Sequence, residues 1–265
     1  MEIPSITSSS NPTIKRVRSL RQRKVRQETG LFLVEGIHHV GAAIEAGWRI
    51  DSLLYAPDLL KSEYGWKLVR EQTILGVRCV PVAMEVFKTI ADKENPQGIL
   101  AVAEQRHLVL ENLNVAAFKT GVAVISAQDP GNIGTILRTL DATGSDGLFL
   151  LEGGVDQYHP SAVRASMGAL FWKPVVQASF DAFITWGRTG GYRIVGSSAH
   201  ATEDYHVLRE RKDATILLLG SEQKGLSPER LAACDLVVSM PMRGRVSSLN
   251  LAVAAGVLLY QMMEE

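Results

Sequence analysis

Hydrophobic residues in the second half of the chain form short continuous runs instead of alternating with polar residues. Strands that are buried on both faces have this composition, and such strands build mostly parallel sheets covered by helices. We therefore predict an α/β domain with a parallel sheet in the second half. Its predicted strands are residues 122–126, 147–151, 192–197, 215–219 and 236–240.

The first half contains predicted strands and helices in alternation, which is typical of a smaller α/β domain. Residues 105–120 lack a clear period and are interpreted as a linker. The chain is thus divided into a first domain over residues 1–104, this linker, and a second domain over residues 121–265. The first domain's predicted strands are 31–36, 50–55, 76–81 and 97–103, and its predicted helices are 13–27 and 38–46.

Composition narrows the class of protein. Apolar residues make up 46% of the 265 residues and charged residues 21%, as in ordinary globular proteins. No apolar run approaches the roughly 18 residues that span a bilayer, and residues 1–5 lack the pattern of a secretory signal, so we expect a cytoplasmic protein. Cys79 and Cys234 are far apart and the histidines lack metal-ligand spacing, so we expect buried thiols and no metal.

Charge is distributed unevenly along the chain. Seven basic residues against Glu2 give residues 1–26 a net charge of +6, although the whole chain is neutral. A cluster of this density attracts polyanions and is a candidate phosphate-contact segment, although a solvated helix face has the same pattern. The candidate phosphate-contact residues are Lys15, Arg16, Arg18, Arg21, Arg23, Lys24 and Arg26.

The first candidate segment, residues 128–138, follows a predicted strand and opens a helix. Asn132 is its predicted N-cap, and Asn132 and Arg138 are predicted to share the face opposite the apolar stripe. Ligands bind at the carboxyl edge of parallel sheets, where Arg138 can hold a phosphate through two hydrogen bonds. An ordinary strand–helix unit with a surface arginine explains the same pattern.

The second candidate segment, residues 217–229, joins a strand to a helix through a loop bounded by glycines. Gly220 and Gly225 have the spacing of a phosphate-binding loop, but Leu226 stands where that loop needs its lysine, which argues against nucleoside triphosphates. A glycine-bounded loop still lets the backbone approach a flat ligand closely. A tight turn explains both glycines but not Glu222 between them.

The third candidate segment, residues 240–262, leads into a helix that is apolar nearly all round. Ser247 or Ser248 is its predicted cap. Such a helix is expected to be buried on more than one side, and a dimer interface is the simplest second partner. Core packing accounts for the helix body and leaves Ser248 and Asn250 as candidate functional residues.

Taken in order, the three segments resemble motifs 1, 2 and 3 of the SpoU/TrmH family within the SPOUT methyltransferases. The sequences that carry this resemblance are DPGNIGTILRTLDATG, LLLGSEQKGLSPE and MPMRGRVSSLNLAVAAGVLLY, with RASMGA at 164–169. The resemblance covers about residues 122–260. The first half resembles the family's substrate-binding domain, a ribosomal-protein-like α/β module, in FLVEG at 32–36 and NPQGILAV at 95–102.

The resemblance implies a deep trefoil knot in the C-terminal domain, a homodimer formed through that domain, and S-adenosylmethionine as cofactor. Met240 stands where the family more often has Ile, a similar apolar volume. The implied cofactor-binding residues are Gly220, Glu222, Gly225, Met240, Met242, Ser247 and Leu249. The implied catalytic residues are Arg138, Asn132, Glu222, Ser248 and Asn250.

The activity implied by the resemblance is methyl transfer to a ribose 2′-hydroxyl of RNA. The basic segment over residues 15–26 has counterparts in this subgroup, so its seven cations are the implied RNA-binding residues. We interpret Arg138 as a group that binds the adjacent phosphate and stabilises the developing alkoxide, because a guanidinium stays protonated in proteins. Ribosomal RNA is favoured, since relatives of the N-terminal domain often accompany ribosomal-RNA enzymes. The alternatives are a transfer-RNA 2′-O-methyltransferase, a base methyltransferase, and an inactive knotted RNA-binding or assembly factor.

Overall fold

The computed structural model describes residues 4–114, 118–210 and 213–263, which form two compact units. The first unit comprises the chain up to Arg106 together with Tyr158–Phe171, and the second comprises His107–Gln157 and the chain from Trp172 onward. Over the described ranges, no helix has the length and apolarity needed to cross a bilayer. Over these same ranges, no three His, Cys, Asp or Glu side chains are grouped as metal ligands.

The N-terminal basic segment forms two helices, α1 Pro12–Ser19 and α2 Arg23–Thr29, instead of the single predicted helix over 13–27. Arg26 explains the break. Its Nη1 donates hydrogen bonds of 2.8 Å to the backbone oxygens of Leu20 and Arg21, which lie at the joint between the helices. Backbone oxygens at the end of a helix lack intrahelical partners, so the buried guanidinium stabilises the ending of α1.

The sheet of the first unit contains the four predicted strands, which are confirmed. They pair in the order β1-β4-β2-β3, and β4 runs antiparallel to both of its neighbours. The face against α1 buries apolar side chains that include Ile14, Val17 and Leu33. The strands are β1 Leu31–Glu35, β2 Ile50–Tyr55, β3 Arg78–Pro81 and β4 Ile99–Glu104, and the helices are α3 Ile37–Glu45, α4 Glu63–Ile74 and α5 Met84–Lys88.

The sheet of the second unit has seven strands, all parallel, which confirms the predicted parallel α/β architecture. The strand order is β7-β6-β5-β10-β8-β11-β9. The strands β7 and β9 were not predicted: they lie at the two edges of the sheet, where burial is incomplete, and neither has a continuous apolar run. The trefoil knot stays a prediction. The strands are β5 Thr120–Ile125, β6 Gly147–Leu151, β7 Val175–Ala178, β8 Arg193–Ser197, β9 Glu203–Asp204, β10 Thr215–Leu219 and β11 Leu236–Ser239.

Two predicted helix caps in the second unit are wrong. Helix α6 Pro130–Ala142 is capped by Asp129, whose side chain accepts from the Gly131 amide, because Pro130 occupies the first helical position and shifts the start upstream. Asn132 therefore lies inside the first turn. Helix α10 Leu251–Gln261 is capped by Asn250 and not by Ser247 or Ser248. The remaining helices of this unit are α8 Phe180–Thr189 and α9 Pro228–Ala232.

The segment Tyr158–Phe171, which contains helix α7 Pro160–Ala165, belongs to the first unit, whereas the sequence analysis assigned it to the second domain. Three side chains of the first unit bond to its backbone. Nε1 of Trp48 donates to the backbone oxygen of Phe171 at 2.8 Å, and the rings of His38 and His39 bond to those of Met167 and Arg164. These long-range contacts have no signature in the local sequence.

Candidate functional site

The loops that follow β8, β10 and β11 lie side by side at the carboxyl edge of the parallel sheet. Gly196 of β8 is in register with Leu218 of β10 on one side and with Val237 of β11 on the other. Neighbouring strands lie about 4.8 Å apart, so the loops after β10 and β11 begin roughly 10 Å from each other. The second and third candidate segments therefore meet at one edge, where ligands bind in open α/β sheets.

Three of the predicted catalytic residues are joined by a chain of hydrogen bonds. Nδ2 of Asn250 donates to Oδ1 of Asn132 at 3.0 Å, and Nδ2 of Asn132 donates to Oε1 of Glu222 at 3.0 Å. These residues come from the third, first and second segments respectively. The hydrogen bonds therefore bring all three segments together through Asn132, which is 7% exposed.

The cap of α10 fixes which group donates and which accepts in each of these hydrogen bonds. Oδ1 of Asn250 accepts from the backbone amides of Ala252 and Val253, so its Nδ2 is left to donate to Asn132. Oδ1 of Asn132 is then an acceptor and its Nδ2 must donate in turn. The last group in this series of hydrogen bonds has to be an acceptor, which Oε1 of Glu222 provides. Asn250 thus serves both as a helix cap and as the start of this polar chain.

The loop of the second segment folds back tightly on itself. Ser221 and Gly225 form an antiparallel bridge, and the Gly225 amide donates to the Ser221 backbone oxygen at 2.9 Å. A Cβ on Gly220 would lie 2.0 Å from the backbone carbon of Gly225, so no other residue fits there. Gly225 has a φ of +62°, which favours glycine. Both predicted glycines have a conformational reason, and Glu222 projects from the loop between them.

The third segment presents apolar and hydroxyl side chains at the same edge. Met240 and Met242 are half-buried, and Leu249 is 38% exposed although it is apolar. Ser247 and Ser248 are exposed. Of the predicted residues in this segment, Asn250 has a side chain that bonds directly to the first segment, at Asn132, and it reaches the second segment only through that residue. The cofactor assignments to Met240, Met242, Ser247 and Leu249 stay predictions.

Arg138 does not share a face of α6 with Asn132, which corrects the sequence analysis. Six residues along an α-helix correspond to about 9 Å along the axis and about 120° around it. Asn132 is buried, whereas Arg138 is exposed. The guanidinium therefore projects from the outer side of α6 and not from the side where the three segments are joined.

The predicted RNA-contact residues differ in their surroundings. Arg26 is 1% exposed and bonds to backbone oxygens, so its inclusion in the RNA-contact set is wrong. Arg16 pairs with Asp51 at 3.0 Å, and Arg18 donates to the Thr89 hydroxyl. Arg21 donates to the backbone oxygens of residues 90 and 91. The exposed members of the set are Lys15, Arg16, Arg21, Arg23 and Lys24.

A polar cavity of about 290 Å³ lies between the loops that follow β5 and β10, and the sequence analysis missed it. Its members are ordinary polar residues in two distant loops, so only their chemistry, and no spacing, could have indicated it. Its lining residues are Ser126, Gln128, Ser221, Gln223, Lys224, Gly225, Ser227 and Arg230.

Comparison with known proteins identifies the family. Residues 119–260 match the SpoU rRNA Methylase family, and residues 11–101 match the MRM3-like substrate binding domain. The chain is 34% identical, over 93% of its length and 87% of the relative's, to a 23S rRNA (uridine(2479)-2′-O)-methyltransferase of Streptomyces viridochromogenes. It is 29% identical, over 97% of its length and 98% of the relative's, to a 23S rRNA (guanosine(2553)-2′-O)-methyltransferase of Bacillus subtilis.

Solved structures agree with this result. An AdoMet-bound rRNA methyltransferase from Sinorhizobium meliloti superposes with a TM-score of 0.89 and 34% identity, covering 98% of this chain and 97% of that one. The parallel α/β sheet, with three segments joined at its carboxyl edge, is the architecture of an RNA methyltransferase. The chain belongs to the SpoU rRNA Methylase family.

Proposed function

We propose that this protein transfers a methyl group from S-adenosylmethionine to a ribose 2′-hydroxyl of ribosomal RNA, and that 23S rRNA is the substrate. The observation that carries the proposal is the hydrogen-bond chain from Asn250 through Asn132 to Glu222. It joins the three segments that resemble the family's motifs. The two similar proteins from Streptomyces viridochromogenes and Bacillus subtilis are named as 23S rRNA 2′-O-methyltransferases, which supports the choice of substrate.

The residues at the carboxyl edge fit S-adenosylmethionine. Its adenine is flat and apolar on both faces, and Met240 and Leu249 supply apolar side chains that remain accessible. The tight loop from Gly220 to Gly225 presents backbone donors and acceptors without a side chain at its first position. Met242, Ser247 and Glu222 complete the proposed set. When bound, the cofactor supplies an electrophilic methyl group on a sulfonium sulfur.

The chain's own residues orient the RNA and stabilise charge. Arg138 binds the phosphate beside the target ribose and stabilises negative charge on the 2′-oxygen as its proton is lost. Asn132, Asn250 and Glu222 hold the loops of the three segments in fixed positions, and Ser248 offers an exposed hydroxyl next to them. Precise alignment of the attacking oxygen with the methyl group supplies much of the remaining rate.

The exposed face of α10 supports a homodimer formed through the C-terminal unit. Val253, Val257 and Tyr260 follow helical spacing and are 52%, 37% and 58% exposed in the single chain. An apolar stripe of this kind marks an interaction surface. A Cβ on Gly256 would lie 3.8 Å from Cγ2 of Thr139, so α10 and α6 pack side by side. A second copy on this stripe would be adjacent to Arg138 of α6.

The exposed cations of the N-terminal helices provide the RNA-contact surface of the substrate-binding unit. Lys15 and Lys24 are exposed, and Lys24 pairs only at 3.8 Å with Glu28. Pairs of this kind at the surface contribute little, so both ammonium groups remain able to neutralise phosphates. Because the proposed substrate is ribosomal RNA, we propose that the protein acts in the cytoplasm.

The test is to map ribose methylation in total RNA from a strain lacking the gene and from its parent. One 23S rRNA nucleotide is expected to lose its 2′-O-methyl group, and purified protein should restore it in the presence of S-adenosylmethionine. Loss of a 2′-O-methyl group from a transfer RNA instead would identify transfer RNA as the substrate. An unchanged map, together with no S-adenosylmethionine binding by calorimetry, would indicate an inactive RNA-binding factor instead.

A further inference from the structure

The cavity between the loops after β5 and β10 lies beside the proposed methyl-transfer site but uses different side chains. Gln223 and Lys224 line it, whereas their neighbour Glu222 bonds to Asn132. At about 290 Å³ it is near the lower end of the roughly 300–1,000 Å³ that ligand pockets occupy. It therefore has room for a group larger than a few waters.

The cavity's side chains suit an anion with hydrogen-bond acceptors. Lys224 and Arg230 supply two cations, and Gln128 and Gln223 supply amide donors. Within the described ranges, neither cation has a carboxylate within ion-pair distance, and neither glutamine side chain has a hydrogen-bond partner. The guanidinium of Arg230 also lies over the ring of Phe180, 5.7 Å from its centroid, and this contact through the guanidinium face leaves the N–H donors at its edge. All four groups therefore retain donors for a ligand.

Nearby acids only partly offset this charge. Glu229 follows the cavity residue Ser227, and a hydrogen bond from the Ser227 side chain, with a smaller effect of Arg230, holds its pKa below the usual range. Its carboxylate is therefore held by a hydroxyl of the cavity lining and lies near Arg230, although Glu229 is not itself a lining residue. Glu222 bonds to Asn132. The lining itself contains two cations and no acid.

One wall of the cavity is held rigidly. Ser126 has a φ of +48°, a left-handed conformation that non-glycine residues rarely adopt. Its amide donates to the Leu151 backbone oxygen at 2.9 Å, and the Val155 amide donates to the Ala127 backbone oxygen at 2.9 Å. Strained backbone of this kind persists where neighbouring structure enforces it, and it is concentrated at functional sites.

We propose that this cavity binds a phosphodiester group of the RNA strand next to the methylated nucleotide, through Lys224, Arg230, Gln128 and Gln223. The inference rests on the proposed function and adds a contact that positions the substrate. Protein contacts to phosphates fix the register of a nucleic acid without reading its bases. Because the loop of Glu222 also carries Lys224, binding the strand here would align the target ribose with the site.

The test measures methyl transfer by wild type and by a double variant that carries both Lys224→Gln and Arg230→Gln. The substrate is deproteinised ribosomal RNA from a strain lacking the gene, and [methyl-³H]S-adenosylmethionine is the donor. The KM for RNA is expected to rise about tenfold, and the slope of log affinity against log salt to fall by ~1 to 2. The Kd for S-adenosylmethionine, measured by calorimetry, should change less than twofold.

Two controls accompany this measurement. Arg188→Gln removes an exposed arginine of α8 that does not line the cavity, and it should leave the KM for RNA and the salt slope unchanged. Lys224→Arg keeps the charge and should remain near wild type. Circular dichroism spectra and urea midpoints equal to wild type establish that the double variant folds.

Four results would overturn the inference. An active wild type with a double variant of equal RNA KM and salt slope would refute the phosphate contact alone. Loss of S-adenosylmethionine affinity in parallel with RNA affinity would assign the cavity to the cofactor. Binding of inorganic phosphate by wild type that is lost in the double variant, while the KM for RNA stays unchanged, would assign the cavity to a free anion. A wild type that neither binds S-adenosylmethionine nor transfers a methyl group would refute the proposed function as well.

Discussion

The side-chain amide of Asn132 donates a 3.0 Å hydrogen bond to the carboxylate of Glu222, although 90 positions separate the two residues. The same asparagine accepts from Asn250, 118 positions away from it. One buried side chain thus connects a helix of the first candidate segment to the loop of the second and the helix cap of the third. The pair itself gives the first of five predictions.

Replacing Asn132 with Ala should weaken both stability and methyl transfer. The change leaves Nδ2 of Asn250 without its acceptor and Glu222 without its donor, and an interaction with a charged group contributes about 1.5–3 kcal/mol. Urea unfolding should therefore show a loss of that order. Glu222→Gln is the matched control, because its amide oxygen still accepts from Asn132 while the charge is lost. A wild-type rate of methyl transfer in Asn132→Ala would contradict a role of these hydrogen bonds in catalysis.

Replacing Arg138 with Ala should reduce kcat/KM by about 10² to 10³, the effect of removing one donor that stabilises a developing oxyanion. Because Arg138 is exposed, the free energy of unfolding should stay within about 0.5 kcal/mol of wild type. Arg138→Lys should retain little activity, because an ammonium cannot form the bidentate hydrogen bonds of a guanidinium. Steady-state methyl transfer checks this, and near wild-type rates in Arg138→Ala would exclude the proposed role.

Mixing two inactive variants tests whether Arg138 acts within its own chain or on a partner. Arg138 and Asn132 lie about 120° apart around α6, and the apolar stripe of α10 packs beside that helix. If Arg138 acts across a dimer, co-refolded Arg138→Ala and Glu222→Ala chains will contain heterodimers with one intact site. Activity should then return to a fraction of wild type. A mixture as inactive as either variant alone would restrict Arg138 to its own chain.

Replacing Val253 with Glu should convert a dimer to a monomer. Val253 is 52% exposed in the single chain, so the charge costs the isolated chain little but is unfavourable inside an apolar interface. Light scattering coupled to size-exclusion chromatography reports the mass. Ile74→Glu on α4 is the matched control, because Ile74 is an apolar residue that is 84% exposed and lies outside the α10 stripe. Unchanged mass in Val253→Glu, or a monomeric wild type, would contradict the proposed interface.

Variants of Lys15 and Arg26 should affect different properties, although both residues belong to one basic segment. We expect Lys15 to contribute to RNA binding and Arg26 to stability. Arg26→Ala removes the donor to the Leu20 and Arg21 backbone oxygens and should cost about 1–3 kcal/mol in urea unfolding. Lys15→Gln should leave stability unchanged and reduce the salt slope of RNA binding by ~1. Filter binding across a salt series gives the slope. Equal effects of both variants on RNA binding, with equal stability, would contradict this division.

The strands that could be predicted are those whose burial on two faces produces a continuous apolar run. Residues such as Leu217 and Leu218 of β10 have this signature because a central parallel strand is covered on both sides. β9, two residues long at the edge of the sheet, has no comparable signal. Local pattern therefore indicates the centre of the sheet better than its edges.

The sequence by itself determined the parallel α/β architecture and the chemical identities of the three segments, because apolar periodicity and short motifs are local properties. Only the tertiary structure decided which arginine of the basic segment is buried, which residue caps α10, and which side of α6 carries Arg138. Each of these depends on contacts between residues far apart in the chain, such as Asn250 with Asn132. A charge or a cap residue has the same local pattern whether it meets solvent, a helix end or a distant side chain, so the fold alone assigns its role.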